Sequence, residues 1–171
     1  GFGPKVGVIT ISGVITASGA ENIFGETILS ARAYMKMIRS AGEDDSVKAV
    51  VVRINSPGGG AAASQEIYTE IMRLREKKPV VISMAEVAAS GGYYIASAGS
   101  KIYANPATLT GSIGVIMETV QYQEMLGKLG IEAGALTTGP YKDTGSPVRP
   151  MREDERQMLK AMLNNVYEQF V

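Results

Sequence analysis

Ser83-Met-Ala-Glu-Val-Ala-Ala-Ser-Gly-Gly-Tyr-Tyr-Ile-Ala-Ser-Ala-Gly99 is the stretch around which the chain is organised. It leaves an apolar β-branched run, Val80-Val81-Ile82, passes Ala88-Ala89-Ser90-Gly91-Gly92, and becomes a small-residue helix from Tyr93 to Ala98. A strand that turns through small residues into a helix sets one hydroxyl at a helix N-terminus. Free N–H groups and the positive end of the helix dipole favour developing negative charge there. Small neighbours also let a substrate backbone approach closely. The pattern fits a nucleophile, Ser90, but on local pattern alone it fits an N-cap serine better.

The same strand, glycine turn and helix occur once before. Val47 to Ile54 is an apolar run of the kind expected for a buried parallel strand. Asn55-Ser-Pro-Gly-Gly-Gly60 follows, and then a helix from Ala62 to Lys77 with Ile67, Ile71 and Leu74 on one face. Only glycine adopts the backbone conformations that let successive N–H groups of such a turn point into a cleft.

The remaining periodicities predict more alternating elements. Lys5 to Ser12 reads as a strand ended by Gly13, Thr16 to Gly25 as a loop, and Glu26 to Ala41 as a helix stopped by Gly42. Lys101 to Ala104 is short and extended. Leu109 to Ile116 is a glycine-broken strand, Glu118 to Leu129 a helix stopped by Gly130, and Ile131 to Thr138 a strand. Gly139 to Pro150, with Lys142 in it, is a loop. Arg152 to Phe170 is an amphipathic helix with Glu153, Asp154 and Glu155 in its first turn. Alternation throughout makes the class α/β, with repeated β-turn-helix units.

Composition narrows the chemistry. The 171 residues suit one domain with one core. Seventeen basic residues balance seventeen acidic ones, which gives nucleic acid no electrostatic footing. The basic cluster Arg73, Arg75, Lys77 and Lys78 reads as a solvated helix end. With no Cys, disulfides, thiolate nucleophiles and Cys-based zinc sites are excluded. With no His, so are a Ser-His-Asp triad and an H-E-x-x-H zinc site. A serine nucleophile would need Lys, Asp, Glu or an N-terminal amine as its base. The tight acidic run Glu43-Asp44-Asp45 lacks an EF-hand pattern, so no metal site is expected. No run is long and apolar enough to span a membrane.

Four motifs occur in order: Asn55-Ser-Pro-Gly-Gly-Gly60, Ala88-Ala-Ser-Gly-Gly-Tyr-Tyr-Ile95, Leu109-Thr-Gly-Ser-Ile-Gly-Val115, and Tyr141-Lys-Asp143 with Ser146-Pro147. Together they closely resemble signal peptide peptidase A, a family of serine peptidases with a Clp-protease/crotonase-like fold. The resemblance implies Ser90 as nucleophile, Lys142 as general base and Ser112 as the serine that orients the lysine amine. It implies an oxyanion hole from the N–H groups of Gly59 and Gly91, and no cofactor. A free lysine titrates near ~10.4, so a lysine base must be held away from acids to be neutral at moderate pH.

The family also implies a single catalytic domain over residues 1–171, preceded in relatives by a membrane anchor and followed by a further segment. It implies hydrophobic peptides such as cleaved signal peptides as substrates, a homo-oligomeric ring in which Ser and Lys can come from neighbouring subunits, and a place on the extracytoplasmic side of the cell membrane. Ala85 stands where many relatives carry Gly. Two other readings are a crotonase-type acyl-CoA enzyme, for which no CoA site or placed carboxylate is visible, and a non-catalytic oligomeric scaffold, against which the intact dyad positions stand.

Overall fold

The computed structural model describes residues 3–21 and 27–171, which form two compact units, Gly1–Ile113 and Gly114–Val171. In the first, β1 (Lys5–Ser12), β4 (Val47–Ser56) and β5 (Val80–Ala89) lie side by side, all parallel, with β1 and β5 flanking β4. The other edge of β5 carries two short parallel strands, β6 (Lys101–Tyr103) against Val81–Ser83 and β7 (Leu109–Gly111) against Val87–Ala89. A separate two-stranded ribbon joins β2 (Ala20–Glu21) to β3 (Thr27–Ile28).

Period-2 alternation sends Ile9 and Ile11, Val50, Val52 and Ile54, and Val80, Ile82 and Met84 into one core. There they meet Tyr34 and Ile38 of α1 (Ala31–Glu43), Ile67, Ile71 and Leu74 of α2 (Ala61–Lys77), and Ile95 of α3 (Gly91–Ala96). Ile38, Ile67, Ile71 and Ile82 are fully buried, and each contributes about 1.5–3 kcal/mol. The strand predicted as buried is thus half right. Arg53 and Asn55 alternate outward from β4 and are exposed, as is Lys48 beside the register shift at the strand's start.

Several boundaries move. The helix predicted from Glu26 begins at Ala31, where the Ser30 hydroxyl accepts from the Ala33 N–H (3.2 Å). Thr27–Ile28 is drawn into β3 instead. The predicted start Glu26, and the predicted loop over residues 22–25, lie outside the described residues. The predicted stop Gly42 lies within α1, which ends one residue later. Lys78, expected among solvated basic residues, donates its ammonium to the carbonyls of Ala41 (2.7 Å) and Asp44 (2.6 Å) at the end of α1.

The second unit contains α4 (Gln123–Lys128) and α5 (Glu153–Phe170). The helix predicted from Glu118 starts only at Gln123. It ends at Lys128, one residue before the predicted Leu129; the predicted stop Gly130 has φ +72°, and the Ile131 N–H closes back on the Leu126 carbonyl (3.0 Å). The strand predicted over Ile131–Thr138 does not form, because no described strand pairs with it to satisfy its backbone. The strand predicted over Leu109–Ile116 is cut to β7 by Gly111 and Ser112, both at positive φ. On α5 the apolar stripe is half-buried or exposed, and Glu155 is the residue that is fully buried.

Candidate active site

β5 runs six residues past the predicted Ser83, to Ala89. What extends it is pairing at its far end. Thr108 and Thr110 donate their hydroxyls to the carbonyls of Ala85 (2.8 Å) and Ala88 (2.7 Å). The pairing with β4 slips after Ile54–Met84 to Ser56–Ala88. The Asn55 side-chain carbonyl accepts the Val87 N–H in that slip (3.2 Å). The first residue of the Asn-Ser-Pro-Gly-Gly motif therefore shapes the strand that delivers Ser90.

Ser90 stands at the junction of β5 and α3 with φ 51° and ψ −122°. That backbone is costly for a residue with a Cβ, and such outliers concentrate at functional sites. Its hydroxyl makes no capping hydrogen bond to α3. The N-cap alternative therefore lacks its defining contact. The Ser90 N–H is fixed instead by the Gly111 carbonyl (2.8 Å), and its carbonyl accepts from Tyr94 (2.9 Å). Ser112, immediately after Gly111, has φ 53°. Among the described residues, Ser90 and Ser112 are the two non-glycine residues at positive φ.

The glycine turn is pressed against this junction. A Cβ on Gly58 (φ +100°) would lie 2.7 Å from the Gly91 nitrogen and 2.9 Å from the Ser90 Cβ. A Cβ on Gly59 would lie 2.1 Å from the Ile15 carbonyl oxygen, because the turn forms a bridge to Ile15. In that bridge the Ile15 N–H donates to Gly58 (2.9 Å) and Gly60 donates to Ile15 (2.8 Å). The N–H groups of Gly59 and Gly91 carry no hydrogen bond among the described residues. Ser56, fully buried, holds the start of the turn. Its hydroxyl donates to Gly13 (2.6 Å) and accepts from the Gly58 N–H (3.1 Å). On the inner side Ser64, buried in the first turn of α2, packs its Oγ against Gly91.

The first unit thus brings Ser90, Gly91, Gly59 and Ser112 to one end of β5, and Lys142 is carried by the second. Lys142 is exposed and lies in a turn, its N–H on the Gly139 carbonyl (3.3 Å). Its neighbour Asp143 is occupied. Arg149 donates Nε to Oδ2 (2.7 Å) and Nη2 to Oδ1 (2.8 Å) of Asp143. The same guanidinium pairs with Glu155 through Nη1 (2.8 Å) and Nη2. Glu155 also accepts the Arg152 N–H (2.9 Å), reaching back across the first turn of α5. Arg149 holds the Glu155 carboxyl far below the usual range, at about 2, and lowers that of Asp143 as well. The sequence treats Glu153, Asp154 and Glu155 as equivalent partners of the helix dipole. Nothing in the pattern separates the buried one, and Arg149 carries no signal. Among the described residues no acidic cluster suits a metal ion, and no helix is long and apolar enough to cross a membrane.

The family model for peptidase family S49 matches residues 72–171, more than half of the chain. The chain belongs to peptidase family S49. The Clp protease model also matches, over residues 24–110, in keeping with the α/β class and its parallel sheet. The chain is 36% identical to the chloroplastic serine protease SPPA of Arabidopsis thaliana, over 97% of its own length and 25% of that protein's. It is 35% identical to Protease 4 of Haemophilus influenzae, over 98% of this chain and 26% of that one. A Methanocaldococcus jannaschii relative is 38% identical over 88% of this chain and 49% of its own length. The chain thus spans about half or less of these S49 relatives. Among solved structures it resembles the 1510-N membrane-bound stomatin-specific protease, a lysine-to-alanine mutant in complex with a substrate peptide. The TM-score is 0.55 with 28% identity, covering 70% of this chain and 50% of that one.

Proposed function

We propose that this S49 chain is the catalytic part of a serine peptidase that works through Ser90 and Lys142. The observation that carries the reading is Ser90 itself: a strained, uncapped hydroxyl at a strand-to-helix junction against a glycine turn. The neutral Lys142 amine takes the Ser90 proton as the hydroxyl attacks a peptide carbonyl, and the protonated lysine then supplies the leaving amine. The amine next activates water to release the acyl-enzyme. The Gly59 and Gly91 N–H groups receive the oxyanion; each such donor is worth about 3–4 kcal/mol. Ser112, set beside Ser90 by the β5–β7 pairing, orients the amine. In a chain without His, a lysine base is the consistent partner.

Hydrophobic peptides, including cleaved signal peptides, are the proposed substrates. The S49 neighbour with a bound substrate peptide supports peptide binding on this fold. That neighbour is membrane-bound, which supports a membrane-attached setting, and a homo-oligomeric ring completes the proposal. The test is hydrolysis of an apolar reporter peptide by wild type, Ser90→Ala and Lys142→Ala. Both variants are expected to be inactive. Undiminished hydrolysis by either variant rules the mechanism out.

A further inference from the structure

The backbone around Lys142 is tied unevenly by its own hydrogen bonds. Lys142 N–H to Gly139 is 3.3 Å and Thr144 N–H to Tyr141 is 3.4 Å, both beyond the common N–H···O range, while Ser146 N–H reaches the Asp143 carbonyl at an ordinary 2.9 Å. Side chains add to this hold, one on each flank of the lysine. After it, Arg149 grips both carboxylate oxygens of Asp143 and reaches the Asp143 carbonyl as well (3.3 Å). Before it, the Arg152 guanidinium lies over the Tyr141 ring (5.9 Å) and donates to the Pro140 carbonyl. Both arginines converge on Glu155, which is fully buried and seated in the first turn of the 18-residue α5.

Buried ion clusters are a poor way to gain stability, because desolvation offsets most of the attraction. What a planar fork between two carboxylates supplies well is geometry. We propose that Arg149, anchored by Glu155, is a positioning residue that fixes the Tyr141-Lys142-Asp143 segment to α5 so that the Lys142 amine is presented in one place. The proposal rests on Lys142 being the base. Arg149 itself touches no reacting atom. It also keeps both oxygens of Asp143, the carboxylate next to Lys142 in the chain, engaged elsewhere.

The test compares kcat and KM on the apolar peptide for wild type, Arg149→Ala, Arg149→Lys and Lys142→Ala, with folding checked by circular dichroism. Arg149→Ala is expected to lose kcat on the order of 100-fold, the effect of misplacing a catalytic group by about 1 Å, with KM little changed. Millimolar guanidinium should restore part of that kcat, and urea, planar but uncharged, should not. Arg149→Lys keeps a cation without the fork, so it decides the matter if Arg149→Ala does not fold. Its kcat should fall less, again at steady KM. Wild-type kcat in either folded arginine variant, beside an inactive Lys142→Ala, overturns the positioning role. So does a kcat loss that tracks KM, or one that guanidinium leaves unrestored in folded Arg149→Ala. An active Lys142→Ala overturns the base assignment instead, whatever the arginine variants do.

Discussion

The Ser90 N–H donates to the Gly111 carbonyl at 2.8 Å, which locks the end of β5 to the end of β7. The residue after each strand, Ser90 and Ser112, then turns through positive φ. A left-handed backbone costs a residue with a Cβ about 1–2 kcal/mol, and only glycine escapes it. Substitution at 112 therefore separates hydroxyl from backbone. Ser112→Gly is expected to be more stable than Ser112→Ala by about 1 kcal/mol in urea denaturation. Both lack the hydroxyl, so both should lose peptidase activity to the same extent. Equal stabilities would contradict the strain, and full activity in either would remove Ser112 from the mechanism.

The glycine turn gives a second test. Gly58→Ala puts a Cβ against the Gly91 nitrogen and the Ser90 Cβ at a φ of +100°. Nothing there can move without shifting the Ser90 junction. It should destabilise the protein by about 1–3 kcal/mol and abolish hydrolysis. Gly134→Ala is the control. A Cβ there meets nothing within 4 Å, and its stability should stay within about 1 kcal/mol of wild type. Thermal melts and the peptide assay distinguish the two outcomes.

How far these features could be read from the sequence depends on what forms them. β1, β4 and α2 follow from periodicity, since their own apolar pattern decides what they bury. The extension of β5 to Ala89 does not, because Met84-Ala85-Glu86-Val87 has no strand pattern of its own. It is held by Asn55 and by the threonines of the next strand. Thr27–Ile28 leaves the predicted helix because β2 offers it a ladder partner. Ile131–Thr138 has strand composition but no described strand to pair with, and composition alone makes no sheet. At the site, the small-residue turns at Gly58–Gly60 and Ser90–Gly92 were legible as turns, but only the resemblance of four motifs in order singled out Ser90 from the other serines. The Arg149–Glu155 pair was not, since charged residues six apart in a loop and a helix look like any solvated surface.

Glu155 also sets an expected pH response. Its carboxyl falls from an ordinary 4.5 to about 2 in the folded protein, chiefly through the Arg149 hydrogen bonds. A carboxyl lowered by folding stabilises the folded state fully above its unfolded value, and that contribution fades as pH falls through the folded value. The window is therefore about pH 4.5 down to about 2. Wild type and Glu155→Gln should differ in melting temperature by a constant amount from neutral pH to about 4.5, with wild type the more stable. The gap should then close toward pH 2, where wild type loses the charge that the glutamine variant never had. Glu70, lowered mainly by Arg39, and Asp143, lowered mainly by Arg149, make both proteins less stable in acid. The difference between the curves isolates Glu155. A gap that persists unchanged to pH 2 would mean that the variant loses packing at that position rather than an ion pair.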